Sequence, residues 1–471
     1  MLDGAESPRR PRSPAASAPR RRILVRADRT LAALLLAACV IVPVLFSLSH
    51  DDVFALPKSI ALLTVGIIAV APVAVVTVMI GLRALRFPMG ADAILLLAFV
   101  VLNAAAWFSS LDVLHSLTGE PFQYQGFLSV VLYAWFLCVA RWSIRTPRRL
   151  LLLFGAIVTG AVLVSVYAIC QWAGLDPIWD APDRVYPGRA LSTIGQPNAL
   201  AAYLVLAATA AAGLWLGVPG ASRRRRVLLA LTMCLILGAH IVTFSRGGAA
   251  GLLAAGIVLT SWQLRLDRRL VRRLAIGMVG CVILALALAW EVPPIRAGIA
   301  SFWVRARPVV QGASLRQHFA LWDVAAHIAA DNPLLGTGQE TYSQIFFLYR
   351  DTVLPQAQAM LFWGIVPESP HSVYLALAAG SGIPALLAYL GLITCVILRL
   401  RRAIQTTAPG SGRGGLLLAL LAAIVGHLVT DVSMTAEVTG AWLFWVLLGA
   451  ALGLTRNRES TRAAPGVSAP A

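Results

Sequence analysis

Stretches of about 20 consecutive apolar residues recur along this chain of 471 residues, each long enough to cross roughly 30 Å of hydrocarbon. Hydrocarbon offers no water to backbone amides, so a chain built of such runs folds as packed helices. Twelve spans are expected, at 30–49, 59–82, 89–108, 126–142, 150–171, 197–217, 227–243, 247–264, 271–291, 371–399, 414–431 and 437–455. The tenth is long for one crossing and contains Gly380-Ser381-Gly382-Ile383-Pro384. It reads as a broken helix, tolerated where backbone faces protein or a wet cavity. Only 13% of residues are charged, against about 25% in soluble domains. That excludes the three soluble domains suggested by length alone at about 150 residues each. The fold class is an all-α polytopic membrane protein.

A net charge of +18 would ordinarily suggest a nucleic-acid partner. Its distribution argues otherwise. With the N-terminus inside, 30 of the 39 basic residues fall on the inner side with only five acidic ones. The outer segments hold nine basic and fifteen acidic residues, and Asp92 lies within the third span. Every short inner loop is basic, the pattern of a twelve-span protein with both termini inside. The charge is mostly a topology signal, and no nucleic-acid partner is expected. The six cysteines lie in or at the ends of apolar segments, so neither a disulfide framework nor a cysteine metal site is expected.

The chain therefore divides into a basic, disordered cytoplasmic tail (1–29), nine spans (30–291), an outer loop domain (292–370), three spans (371–455) and a second tail (456–471). Within the loop domain, Ser314 is placed to cap a helix whose apolar stripe is Leu315, Phe319, Trp322, Ala326 and Ala329. Arg316, Asp323 and His327 fall on its polar side. The helix is expected to end at Asp331-Asn332-Pro333.

Three outer positions carry candidate chemistry. In Thr243-Phe244-Ser245-Arg246-Gly247-Gly248, Arg246 is the sole charge of a tight outer connection, where arginine is unexpected. It is either an interfacial side chain snorkelling to headgroups or an anion clamp helped by amides that the glycines leave open. At Pro370-His371-Ser372, beside the broken span, His371 is either an inert hydrogen-bonded ring or a general base. Glu368, just before it, supplies a carboxylate placed to orient the imidazole. Arg316 is either a solvated charge or a second phosphate contact. His427 and Asp431, at i and i+4, suit interhelical hydrogen bonds, with Asp431 near enough the outer surface to support a site. No zinc spacing, P-loop or Asp-x-Asp pattern occurs, so neither metal nor nucleotide is expected.

Together these residues resemble the O-antigen ligase family, which includes O-antigen ligases, some O-antigen polymerases and protein O-oligosaccharyltransferases. The resemblance rests on Ser245-Arg246-Gly247-Gly248, on the arginine-bearing helix leading to Asn332-Pro333-Leu334-Leu335-Gly336-Thr337-Gly338, and on Pro370-His371-Ser372-Val373-Tyr374-Leu375 before a Gly-x-Gly break. It extends to Phe54-Ala55-Leu56-Pro57-Lys58 and Leu191-Ser192-Thr193-Ile194-Gly195-Gln196-Pro197-Asn198. One departure is His371-Ser372, where many relatives have His-Asn. The resemblance implies a GT-C-type, metal-independent, inverting glycosyltransferase in the bacterial inner membrane, working without a cofactor at the periplasmic face. Its donor would be an undecaprenyl-diphosphate-linked glycan and its acceptor a lipid A-core sugar. His371 would take the acceptor proton, and Arg246 and Arg316 would stabilise the leaving diphosphate. Lys58, the sole lysine, would be a further diphosphate contact, and Asp431, Glu368 and Ser245 supporting residues. A polymerase or protein glycosyltransferase of the same family, or a lipid-linked glycan transporter, are the rival readings.

Overall fold

The computed structural model describes residues 18–81, 90–176, 178, 186, 188–266, 313–408 and 410–455, and among these it is helical, with no strand. The first nine described helices are α1 (Ala18–Ile41), α2 (Ala55–Ile80), α3 (Ala91–Phe108), the short α4 (Val113–Thr118), α5 (Phe127–Ser143), α6 (Pro147–Trp172), α7 (Pro197–Leu216), α8 (Arg223–Ile241) and α9 (Arg246–Leu266). There follow α10 (Ala313–Asp331), α11 (Tyr342–Val353), α12 (Gln356–Ala359), α13 (Val373–Ser381), α14 (Ile383–Gln405), α15 (Gly412–Thr430) and α16 (Val438–Leu454).

Among the described residues, six helices are long and apolar enough to cross a membrane: α2, α3, α6, α7, α14 and α15 with its following turn. Shorter apolar stretches in α5, α9 and α16 coincide with further expected spans. The expected span 271–291 and the loop residues 292–312 lie outside the described residues, as do residues 1–17 and 456–471 of the tails. Burial sorts the helices. Of the six, α7 is the most enclosed, whereas α2 turns most of its surface outward through side chains such as Ile67, Val75 and Val78. The alanines of α7 explain its place, since small side chains let neighbouring helices approach closely where apolar surface alone gives no preference for protein over lipid.

Two expectations need correction. Helix α1 begins at Ala18, inside the segment expected to be a disordered tail. Its Asp28 forms a forked ion pair with Arg149 of α6, with one oxygen 2.7 Å from Nη1, and Leu31 and Leu35 are fully buried. These contacts carry the helix beyond the bilayer run. Helix α10 does end at Asp331, but its buried face is Ala320, Leu321, Val324, Ala325, Ile328 and Ala329, of which only Ala329 belongs to the expected stripe, packed on Ile345 and Phe346 of α11 and on Ala378 and Ala379 of α13. Phe319 is 56% exposed, and Ala326 also faces out. The helix is apolar around much of its girth, so spacing alone allowed two stripes and packing chose the other.

Asp92, the span-embedded acid, is buried on α3 between Arg141 of α5, 2.5 Å away, and Arg399 of α14. One carboxylate thus fastens three helices at the arginine-rich end.

The opposite end is organised by the break in the expected tenth span. Helix α13 stops at Ser381 and α14 restarts at Ile383, with Pro384 in its first turn. The freed groups are taken up by the 332–338 turn: the amides of Thr337 and Gly338 donate to the carbonyls of Ala379 and Gly380 at 3.0 and 2.9 Å. The Ile383 amide donates to the Pro333 carbonyl at 2.9 Å. Gly382 has φ +85°, and a Cβ there would lie 2.2 Å from the Leu334 carbonyl oxygen. Ser381 donates to Asn103 of α3, and Gln339 donates to the Asn103 carbonyl, both at 2.8 Å.

Gly364 shares a positive φ of +72° but has open space around it. Gly364→Ala should therefore cost only the backbone strain of about 1–3 kcal/mol. Gly382→Ala adds a backbone collision and should lower the thermal midpoint of the solubilised protein clearly further; equal losses would refute the close approach.

Candidate active site

The connection between α8 and α9 is built by local hydrogen bonds. The Thr243 hydroxyl donates to the His240 carbonyl at 2.7 Å and accepts from the Ser245 amide at 3.2 Å. Ser245 accepts from the Gly248 amide at 3.2 Å and so caps α9. Phe244 takes a left-handed φ of +50°, the kind of strain that persists only where surrounding contacts over-determine it. A Cβ on Gly248 would meet that of Ala201 at 2.5 Å, so glycine lets α9 run against α7. Arg246 emerges exposed on the first turn, where the helix dipole already favours an anion, and makes no ion pair among the described residues.

A second guanidinium stands beside it. Arg189 donates from Nε to the Thr243 carbonyl and from Nη2 to Asn198 Oδ1, both at 2.8 Å, splinting the turn to the start of α7. Burial, together with the positive charge of Arg246, holds Arg189 below the usual guanidinium range, and Tyr186 nearby offsets this in part. Sequence reasoning missed Arg189. It is one of only nine basic residues on the arginine-poor side, so the anomaly that singled out Arg246 applied to it as well.

His371 sits just before α13 with φ +50°, a second strained non-glycine backbone. Its Nδ1 lies 2.9 Å from the Thr435 hydroxyl, which is itself 2.6 Å from that of Ser369. Glu368 does not orient the ring as expected: its carboxylate accepts from Gln123 at 3.0 Å, and a threonine from the turn after α15 holds Nδ1 instead. The His318 ring of α10 lies 5.3 Å from that of His371, centroid to centroid. Burial, reinforced by the neighbouring His318, lowers the His371 pKa to about 4. The imidazole is neutral at physiological pH and free to accept a proton.

These pieces meet around one turn. A Cβ on Gly247 would lie 2.4 Å from the Ser433 hydroxyl and 3.8 Å from Met434 Cγ, so the arginine-bearing start of α9 abuts Ser433-Met434. Thr435, the next residue, holds His371, and the His318 partner of that ring stands two residues beyond the exposed Arg316 on α10. Arg246, Arg189, His371 and α10 thus gather at the arginine-poor end.

Lys58 is placed differently. Its ammonium is fully buried and donates to the carbonyls of Phe54 at 3.1 Å and Thr193 at 2.6 Å, tying α2 to the turn before α7. In this arrangement it is a strut rather than an anion contact. Asp431 is buried in the turn after α15, 3.5 Å from His427 Nε2 of the preceding helical turn, so this pair is made along one chain segment. Both line a cavity of about 160 Å³ that reaches Ser369, Pro370 and Thr435 beside His371. Glu340, on another wall, is pushed up to about 8 by burial, although it accepts hydrogen bonds from the amides of Glu120 and Gln125. Among the described residues no three His, Cys, Asp or Glu side chains converge as metal ligands.

Residues 231–390, about a third of the chain, match the family model described as O-antigen ligase. No curated protein matches the chain. The matched stretch holds Arg246, Arg316 and His371, while Arg189 and Thr435 come from outside it.

If the paired guanidiniums form an anion site, inorganic pyrophosphate should raise the thermal midpoint of the purified protein, the stabilisation being about 2.7 kcal/mol at a hundredfold excess over Kd. Arg246→Ala should remove most of that shift. An unchanged shift would rule the arginine out as a contact.

Proposed function

The chain carries an O-antigen ligase family region at residues 231–390, a family of membrane glycosyltransferase-like enzymes, and on that premise we propose that it is an O-antigen ligase. In this reading it moves a glycan from undecaprenyl diphosphate to a lipid A-core sugar hydroxyl at the periplasmic face of the bacterial inner membrane, both termini lying in the cytoplasm. The observation that carries the reading is the meeting of His371 and Arg246 around the 433–435 turn, with α10 and its Arg316 alongside.

The chemistry follows from those groups. The acceptor oxygen attacks the anomeric carbon, and its proton passes to His371. With Nδ1 donating to Thr435, Nε2 is the nitrogen left to receive it. The bond from the anomeric carbon to the diphosphate oxygen breaks on the opposite face, so configuration inverts. Negative charge grows on the departing diphosphate, where Arg246, Arg189 and Arg316 oppose it with fixed positive charge in a partly dehydrated site. The reading needs no metal and no cofactor, because guanidinium groups neutralise the leaving group. Thr435 is a positioning residue, holding the ring's tautomer and direction.

His371→Ala should lower kcat by about 10²–10⁴-fold with the donor still bound. The pH profile supplies a separate check. Protonation disables the base, so the rate should stay level from neutral pH down to about 5 and fall through about 4. Thr435→Val should displace that acid limb and Thr435→Ser restore it. A wild-type limb near 6.5 would refute a dehydrated ring. In cells lacking the gene, bare lipid A-core with long glycan left on the carrier lipid is expected. A core capped by one repeat would indicate polymerisation instead, and an unchanged glycolipid profile would direct attention to glycoproteins.

A further inference from the structure

The 292–370 segment, expected as an outer loop domain, does not stand clear of the hydrocarbon. In α14, the sixteen residues from Ile383 to Leu398 separate the break from Arg399. At 1.5 Å each they rise about 24 Å, short of the roughly 30 Å of a hydrocarbon core. Arg399 is held by Asp92 at the arginine-rich boundary, so the break at Gly382 lies below the opposite one. A Cβ on Gly382 would strike the Leu334 carbonyl oxygen, and the Leu334 side chain is 70% exposed. That leucine belongs to the loop segment, yet it faces lipid.

The stretch after α11 carries a similar surface. From Thr352 to Pro367 no residue is charged. Its inward side chains, Leu354 and Phe362, are buried in one cluster with Ala378 and Ala379, just before the break. The Phe362 ring lies 5.2 Å from that of Phe346, centroid to centroid. Outward side chains that met water would be polar. Instead Met360, Trp363, Ile365 and Val366 are all more than half exposed, Trp363 at 74%. An apolar patch of this kind marks a contact. Polarity is graded along the chain as membrane depth would grade it: the Arg350–Asp351 ion pair, then the exposed amides of Gln356 and Gln358, then the apolar stretch. Tryptophan suits the membrane interface, where its amphipathic ring sits at headgroup level. A protein partner is met through a patch with a polar rim, whereas this one shares its supporting cluster with residues beside the lipid-facing Leu334.

We propose that residues 360–366 are seated in the bilayer leaflet at the arginine-poor end, among headgroups and upper acyl chains, so that the loop domain is half-immersed in lipid. Phe362 shares its cluster with Ala320, Leu321 and Val324 of α10, so the seat fixes the height of that helix, and of Arg316 on it, relative to the bilayer. A lipid-linked donor carries its diphosphate at headgroup level. The seat therefore holds α10 where that group arrives. This consequence rests on the transfer reading, and the immersion itself does not.

The full-length protein in phosphatidylcholine nanodiscs tests the immersion through Trp363 fluorescence, taken as the difference between wild type and Trp363→Phe. Phosphatidylcholine brominated near the headgroup end of its acyl chains should quench that difference strongly, and aqueous iodide should barely reach it. Quenching by iodide and not by bromolipid would put the segment in water. Quenching by neither would put it in a protein contact such as a second copy, and either result overturns the proposal. In transfer kinetics, Trp363→Glu with Ile365→Glu should raise KM for the lipid-linked donor about tenfold, equivalent to about 1.4 kcal/mol, with kcat at saturation nearly unchanged. A thermal melt shows whether this variant is folded; if it is not, Trp363→Gln alone should raise the donor KM in part. An unchanged donor KM in a folded variant would refute the seat's role in setting the height of α10. Bromolipid quenching in a protein that transfers no glycan would uphold the seat and sink the transfer reading, so the two fail separately.

Discussion

Backbone groups at membrane depth must be satisfied by protein, and at the break between α13 and α14 the 332–338 turn does this. Three amide-to-carbonyl bonds join that turn to Ala379, Gly380 and Ile383, and Gly382 permits the contact by lacking a Cβ. The consequences spread outward. The turn follows directly on α10, so satisfying the break also presses that helix onto α13, at whose start His371 stands. Through Gln339, Ser381 and Asn103 the same junction is tied to α3. The requirement to pair a few polar groups thus sets the position of the residue assigned the chemistry.

Charge is laid out with similar economy. At the arginine-rich end, Asp92 satisfies two arginines and fastens three helices. At the arginine-poor end, Arg189 is tied down by a carbonyl and an amide side chain, leaving its positive charge without a carboxylate among those partners, next to an exposed Arg246. Carboxylates collect instead in the cavity on the far side of the 433–435 turn.

Much of this was legible in the sequence. The apolar runs marked the described spanning helices closely, the Gly-x-Gly-Ile-Pro segment announced the break, and an arginine in a connection expected to be poor in arginine drew attention to the α8–α9 turn. Less legible were features decided by side-chain direction. The buried face of α10 was read one stripe away from the real one, because apolar residues surround the helix and only its neighbours distinguish them. Arg189 was passed over although it shares the outer-side anomaly of Arg246, because no spacing pattern links it to the Thr243 carbonyl and the Asn198 side chain that hold it. Thr435 lies 64 positions from His371, and no spacing rule connects the two.

By itself the sequence determined that this chain crosses a membrane as helices, where those helices run, and which end is poor in arginine. Hydrophobicity and charge act residue by residue against a bilayer of nearly constant thickness, so that information is local. Only the tertiary structure decided that Lys58 is a strut, that Thr435 rather than Glu368 holds His371, and that Glu340, Glu368, Asp431 and Glu437 line one cavity. Those outcomes depend on angles and distances between segments far apart in the chain, and directional hydrogen bonds select among arrangements that apolar patterning leaves equal.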